Sequence, residues 1–185
     1  MRILFLGAGA LGGYFGGRMT AGGADVTLLV RPGRKAQMGG RVVIESPLGD
    51  AVVPVNAVTA DEVEGPFDLI VLTNKAYGLD GALEAIAPFC GPDTAILPVL
   101  NGMAHIDAIA RRFPDQQLIG GVAHIPAELR PDGSILHRAP MAKLTIGDYP
   151  GGSVEQTRAA QFVSAAWMPR SLKTSRRCCG RSGSC

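Results

Sequence analysis

Residues 2–13 read RILFLGAGALGG, and this stretch decides the fold. The apolar run at 3–6 predicts a strand buried on both faces, and the small-residue run at 10–21 predicts a helix. The glycines between them match the spacing G-x-G-x-x-G, in the strand–turn–helix context that this motif requires. A second β-branched run at 26–30 follows the helix, so the chain is expected to open with a βαβ unit.

The glycine motif predicts a dinucleotide site at the start of this helix. In such loops the first glycine permits a tight turn, the second lets a pyrophosphate approach the backbone, and the third lets the helix pack on the strand. The unpaired N–H groups of the helix N-terminus attract the phosphate charge. The expected cofactor-binding residues are therefore Gly7, Ala8, Gly9, Ala10, Leu11 and Gly12. The alternative is a glycine-rich turn that binds no ligand.

The residue at the end of the second strand indicates which dinucleotide is bound. NAD-binding domains usually carry an Asp or Glu about 20 residues after the glycines, where it binds the ribose 2′-hydroxyl. Arg31 stands at that place, and Arg34 and Lys35 follow it. A guanidinium can bind a 2′-phosphate through charge-assisted hydrogen bonds, whereas a carboxylate would repel it. The sequence therefore favours NADP (NADPH) over NAD, the alternative being a solvated basic loop.

Strand and helix patterns alternate along the rest of the chain. This alternation is typical of an α/β domain with a Rossmann-type, doubly wound, mostly parallel sheet. Two β-branched runs around a turn-rich insert predict a hairpin over 41–55, and residues 134–138 and 143–146 are expected to form an antiparallel edge pair. The other expected strands lie at 67–72, 94–100 and 117–123, and the other helices at 79–87, around 106–110 and at 154–166.

Two loops follow predicted strands at the edge where open α/β sheets bind ligands. Lys75 in the first loop can meet a cofactor phosphate or adenine, and Asn101 in the second can position a nicotinamide or a substrate oxygen. The alternatives are an exposed charge and an ordinary helix cap. The histidines at 105, 124 and 137 have no recognisable ligand spacing, and no metal site is expected.

Composition excludes several classes of protein. A chain of 185 residues with 46% apolar residues fits one globular domain or slightly more and is not a disordered chain. No stretch approaches the ~20 apolar residues of a membrane span, so a cytoplasmic protein is expected. The net charge of +2 gives no argument for nucleic acid, because four basic residues lie in residues 171–185 and residues 1–170 carry 14 bases against 16 acids.

The opening GAGALGGYFGG, Arg31, and the later segments NKA at 74–76, LNGM at 100–103 and GGVAH at 120–124 together resemble the ketopantoate reductase (2-dehydropantoate 2-reductase) family. The resemblance spans about residues 1–170. It implies NADPH-dependent reduction of ketopantoate to pantoate, on the route to pantothenate and coenzyme A. It also implies cofactor roles for the glycine loop, Arg31 and Lys75, and a place for Asn101 between nicotinamide and substrate.

The resemblance also implies parts that this sequence lacks. The family's proton-donating lysine lies in an all-helical second domain, within a Trp-x-Lys segment, and neither the domain nor the segment is expected here, so the catalytic residue is unknown. Residues 171–185 contain one aliphatic residue and no acid. Read two bases later, their codons can encode a segment that resembles the family's hinge and lysine segment, which suggests a frameshift or a sequencing error. The expected organisation is a Rossmann domain at 1–170 and an aberrant tail at 171–185.

Three functions therefore stay open. The leading one is a ketopantoate reductase, or a reductase of a similar 2-keto acid, truncated to its cofactor domain and poorly active. The second is a stand-alone NADP-binding module without catalysis, and the third is a non-functional fragment. A small 2-keto acid is the expected partner, with no nucleic acid and no membrane, and a homo-oligomer is one option.

Overall fold

A computed structural model of the chain describes residues 1–74, 78–100, 104–114 and 116–148. The described part contains four α-helices: α1 Ala10–Ala21, α2 Pro32–Met38, α3 Leu79–Ile86 and α4 Ala104–Arg112. It contains eleven strands: β1 Arg2–Leu6, β2 Asp25–Leu29, β3 Arg41–Glu45, β4 Ala51–Pro54, β5 Asn56–Val58, β6 Phe67–Leu72, β7 Cys90–Pro98, β8 Gln117–His124, β9 Ala127–Leu129, β10 Ile135–His137 and β11 Lys143–Asp148. None of these helices is long and apolar enough to cross a membrane.

The main sheet has seven strands in the order β11-β8-β7-β6-β1-β2-β5. The six strands from β8 to β5 are parallel, and β11 is antiparallel to β8 at one edge. The chain starts in the middle of this sheet and extends it in both directions, which confirms the doubly wound α/β fold expected from the sequence. A second sheet has four strands in the order β4-β3-β10-β9.

Helix α1 lies between the two sheets, and its glycines allow the close packing. A Cβ atom on Gly16 would lie 2.7 Å from the Leu28 side chain of the main sheet, and one on Gly13 would lie 2.5 Å from Ile135 of the second sheet. Glycines spaced four residues apart share one side of a helix. The run GGYFGG thus supplies a small-residue face toward each sheet.

The main sheet is buried on both faces, which explains why its strands read as apolar runs without alternation. One face carries Ile3 and Phe5 and packs on α1 and the second sheet. The opposite face carries Leu4 and packs on α3 and α4. Two apolar cores therefore fix the sheet, and its loops are the parts free to bind ligands.

The hairpin expected over 41–55 is confirmed, with Val42 opposite Val53. A further strand that the sequence did not predict follows the hairpin: β5 pairs with β2 at the edge of the main sheet. Helix α2 had no sequence prediction. It begins at Pro32 and ends at Met38, and its C-cap residue Gly39 adopts the left-handed conformation at φ +54°.

The expected antiparallel pair of 134–138 with 143–146 is wrong. Strand β10 pairs with β3 and β9 in the second sheet, whereas β11 pairs with β8 in the main sheet. Two short runs separated by a few residues look like a hairpin locally, but Ile135 and His137 are buried in the second sheet and commit β10 there. The predicted helix at 154–166 lies outside the described residues.

Candidate active site

Four parallel strands end at the same edge of the main sheet and hold the site in place. Backbone hydrogen bonds continue past the strand ends, because the Gly7 N–H donates to Leu29 O at 2.9 Å and the Thr73 N–H donates to Leu6 O at 3.3 Å. The Val99 N–H likewise donates to a β6 carbonyl at 2.8 Å. The loops after β1, β6 and β7 therefore begin at fixed positions, at the edge where open α/β sheets bind ligands.

Each glycine of the loop meets a different requirement. Gly7 has φ +95°, a left-handed conformation that other residues rarely adopt. A Cβ on Gly12 would lie 2.1 Å from the Gly7 carbonyl oxygen, so only glycine lets the helix approach the strand. Gly9 differs, since nothing lies within 4 Å of the position that its Cβ would occupy. The space that a Gly9 side chain would fill is open and can admit a phosphate.

The start of α1 offers backbone donors and no competing charge. Gly9 is the N-cap residue, no side chain caps the helix, and its first turn holds no acid. The first helical hydrogen bond runs from the Gly13 N–H to Gly9 O at 2.9 Å. The N–H groups before Gly13 are thus available to an anion, which the helix dipole also favours.

Thr73 stabilises the glycine loop through its hydroxyl group, a role that the sequence analysis did not predict. Its hydroxyl donates to Leu6 O at 3.0 Å and lies 3.3 Å from Gly7 O. Its oxygen also lies 2.5 Å from the position that a Cβ on Gly12 would occupy, so the Thr73 hydroxyl fills the space between the glycine loop and β6. The available signal was a hydroxyl residue directly after a buried strand, at the edge where ligands bind.

The structure separates the three basic residues that the sequence grouped after β2. Arg31 is exposed, and its side chain makes no hydrogen bond or ion pair with any described residue. Lys35 instead pairs with Glu62, and its hydrogen bond, with those from Thr59, lowers the pKa of Glu62 to about 2. Arg34 donates from Nε to Ala8 O at 2.8 Å. Of the three, Arg31 is the exposed one that has no hydrogen-bond or ion-pair partner among the described residues.

Two predicted site residues, Lys75 and Asn101, lie outside the described residues. The strands that lead to them, β6 and β7, are described and end at the same edge as β1. The loops that carry both residues therefore start beside the glycine loop.

Two of the three histidines, His105 and His137, are buried, and His124 is exposed. His137 is 1% exposed, with Nδ1 2.8 Å from Ser46 Oγ and 3.3 Å from Tyr14 Oη, and Nε2 3.1 Å from Met141 O. It is thus a hydrogen-bonded core histidine. Burial lowers the pKa of His105 in α4. Within the described ranges, no three His, Cys, Asp or Glu side chains form a metal-binding group.

Known proteins resemble this chain over most of its length. The uncharacterized oxidoreductase YkpB of Bacillus subtilis is 35% identical over 162 residues, covering 87% of this chain and 53% of that protein. The crystal structure of 2-dehydropantoate 2-reductase from Geobacter metallireducens superposes with a TM-score of 0.81 at 30% identity, covering 90% of this chain and 56% of that one. D-mandelate dehydrogenase, solved with NADH and anilino(oxo)acetate, gives a TM-score of 0.78 at 25% identity, covering 90% and 55%.

The chain spans about half the length of the relatives it matches. The family model described as ketopantoate reductase PanE/ApbA matches residues 3–151, which include the glycine loop, Arg31 and both of the loops that follow β6 and β7. The chain therefore belongs to the ketopantoate reductase PanE/ApbA family.

Proposed function

We propose that this chain binds NADPH at the glycine loop and forms the cofactor half of a cytoplasmic reductase whose substrate is the 2-keto acid ketopantoate. The observation that carries the proposal is the open space at Gly9, at the sheet edge where Arg31 is exposed and has no hydrogen-bond or ion-pair partner among the described residues. Residues 7–12 would hold the pyrophosphate, Arg31 the 2′-phosphate, and Lys75 a phosphate or the adenine. Asn101 would lie between nicotinamide and substrate.

The bound nicotinamide would supply a hydride to the keto carbon. The chain's own contribution is to bind and orient, because parallel strands bring the glycine loop and the starts of the loops carrying Lys75 and Asn101 to one edge. A proton must also reach the developing alkoxide, and the 185 residues contain no Trp-x-Lys segment to deliver it. We therefore expect NADPH binding with little or no turnover from these residues.

The choice of NADP over NAD rests on Arg31 and is tested by substitution. Arg31→Met should lower NADPH affinity roughly tenfold to a hundredfold, since hydrogen bonds to charged groups contribute about 1.5–3 kcal/mol, and should leave NADH affinity unchanged. Arg41→Met is the matched control, because Arg41 is also exposed but lies at the start of β3 in the second sheet. Fluorescence titration of both nucleotides gives the affinities. An unchanged preference in Arg31→Met would exclude the assignment.

A stand-alone NADP-binding module is the second candidate function, because the open space at Gly9 and the exposed Arg31 are both cofactor-binding features. NADPH oxidation by the purified chain, with and without ketopantoate, separates the two. Substrate-dependent oxidation supports the reductase, whereas tight NADPH binding without oxidation at any ketopantoate concentration supports the module. Phenylglyoxylate belongs in the same assay, because a structural neighbour is a D-mandelate dehydrogenase.

The domain boundary at residue 170 also remains a proposal. Residues 171–185 have a composition unlike the rest of the chain, and an intact downstream frame, found by resequencing the gene, would support the frameshift. The absence of an intact downstream frame would end that idea.

A further inference from the structure

Arg34 joins the glycine loop to two other parts of the molecule. From its place in α2, its Nε donates to Ala8 O at 2.8 Å and its Nη1 donates to Gly133 O at 3.2 Å and to Gln37 Oε1 at 2.7 Å. Its Nη2 is buried and has no hydrogen-bond partner among the described residues. Burying a guanidinium nitrogen without a hydrogen-bond partner lowers the stability of the fold. This cost indicates that Arg34 has a role other than packing.

The bond to Ala8 sets the direction of one peptide group. The first hydrogen bond of α1 is accepted by Gly9 O, so no N–H group of the helix donates to Ala8 O. Arg34 Nε donates to this oxygen instead. In a trans peptide the carbonyl and the following N–H point in opposite directions. Holding the Ala8 carbonyl toward Arg34 therefore turns the Gly9 N–H away from Arg34. Within the described part of the chain, the Gly9 N–H makes no hydrogen bond.

The same guanidinium does not itself face a ligand. Nη2 is closed to solvent, while Nε and Nη1 are already engaged with protein oxygens. Arg31, three residues earlier, is exposed and makes no such bonds with any residue that the structure describes. The two arginines therefore differ: Arg34 binds protein oxygens, whereas the Arg31 side chain is exposed to solvent.

We infer that Arg34 is a positioning residue for the dinucleotide, acting through the Ala8 carbonyl to hold the Gly9 N–H toward the cofactor pyrophosphate. The inference rests on the proposed NADPH site. Every dinucleotide carries the pyrophosphate, whereas the 2′-phosphate distinguishes NADPH from NADH. Loss of Arg34 therefore weakens both nucleotides by the same factor, whereas loss of Arg31 changes their ratio.

The turn at Gly133 also holds Arg34 in place, because Gly133 O accepts a hydrogen bond from Arg34 Nη1. Gly133 lies between β9 and β10 with φ +87°, and a Cβ there would lie 2.9 Å from Arg34 Nη1. Gln37 anchors the same turn, since its Nε2 donates to Pro131 O at 2.8 Å. The matched control follows from this geometry: Gln37→Met removes bonds on the turn side and leaves the Arg34 bond to Ala8 in place.

The test measures affinities of the full 185-residue chain for NADPH, NADH and adenosine 2′-monophosphate, at a temperature where each variant is folded. Arg34→Met should weaken NADPH and NADH equally, roughly tenfold, as expected for one misplaced charge-assisted hydrogen bond. It should leave affinity for adenosine 2′-monophosphate unchanged, because that ligand has no pyrophosphate. Arg31→Met should instead weaken NADPH and adenosine 2′-monophosphate and leave NADH unchanged. Gln37→Met should lower stability without changing any affinity.

Each outcome decides something. Wild-type affinities in folded Arg34→Met would overturn the positioning role, and a loss confined to NADPH and adenosine 2′-monophosphate would make Arg34 a direct 2′-phosphate contact instead. If Arg34→Met does not fold, Arg34→Lys decides, because lysine has a methylene at the side-chain position from which Arg34 Nε donates to Ala8 O, and the equal loss should persist. A wild-type chain that binds neither nucleotide refutes the proposed function itself, and the inference with it.

Discussion

Two glycines of one motif should respond to the same substitution in opposite ways. In Gly12→Ala the new methyl would lie 2.1 Å from the Gly7 carbonyl oxygen and 2.5 Å from Thr73 Oγ1. A carbon–oxygen contact needs roughly 3.3 Å, so α1 must move about 1 Å away from β1. Gly9→Ala places its methyl in open space, at a φ of −75° that alanine adopts freely.

The magnitudes follow from these contacts. Overpacking against a rigid backbone costs about 3 kcal/mol, and alanine regains about 1 kcal/mol of helix propensity, so Gly12→Ala should lose about 2 kcal/mol of the free energy of unfolding. For a chain of this size that is a fall in Tm of about 4–8 °C. In Gly9→Ala the poorer N-cap and the smaller unfolded-state entropy offset each other within about 0.5 kcal/mol.

Urea unfolding and NADPH titration of the two variants form the assay. Gly9→Ala should unfold like the wild-type chain yet bind NADPH at least roughly tenfold more weakly, because its methyl occupies the approach of the pyrophosphate. Gly12→Ala should be the less stable of the pair. The reasoning is refuted if Gly12→Ala is as stable as Gly9→Ala, or if Gly9→Ala binds NADPH like the wild-type chain.

Three further outcomes are expected. Thr73→Val, which keeps the shape and removes the hydroxyl, should lower the free energy of unfolding by about 1 kcal/mol in urea titrations, and an unchanged midpoint would contradict its supporting role. The pKa of Glu62 lies at about 2, below its usual 4.5, so its contribution to stability is present above pH 4.5 and is lost as pH falls toward 2. Glu62→Gln should flatten this part of the pH profile, and Lys35→Met should do the same. Burial raises the pKa of the Cys90 thiol to about 11, so mass spectrometry should show slow iodoacetamide alkylation at pH 7.5 that accelerates toward pH 10, and rapid labelling at pH 7.5 would contradict this.

Features that depend on neighbouring residues could be predicted from the sequence. The strand, turn and helix around Gly7 and Gly12 follow from an apolar run, a glycine spacing and a small-residue run that are contiguous in the chain. Arg31 follows from the same local logic, because the end of β2 lies a fixed number of residues after the loop. The apolar runs of the parallel strands were also informative, since burial on both faces leaves no alternation.

Pairings between distant segments were beyond sequence reasoning. Strand β10 resembled one half of a hairpin with β11, yet its partners β3 and β9 lie in another sheet, and a strand of three residues carries too little pattern to choose among them. Likewise, nothing local shows that α1 needs a small-residue face toward each of two sheets, although the glycines that supply those faces stand plainly in the sequence.

The sequence by itself thus determined the fold class, the glycine loop and the placement of Arg31 at the end of β2, because each is encoded within one contiguous segment. Only the tertiary structure decided which of the basic residues after β2 is available. Lys35 is paired with Glu62, 27 residues away, and Arg34 reaches Gly133, 99 residues away, while Arg31 stays exposed. A side chain's function depends on which opposite charges and carbonyl oxygens the fold brings within hydrogen-bonding distance, and local sequence does not contain that information.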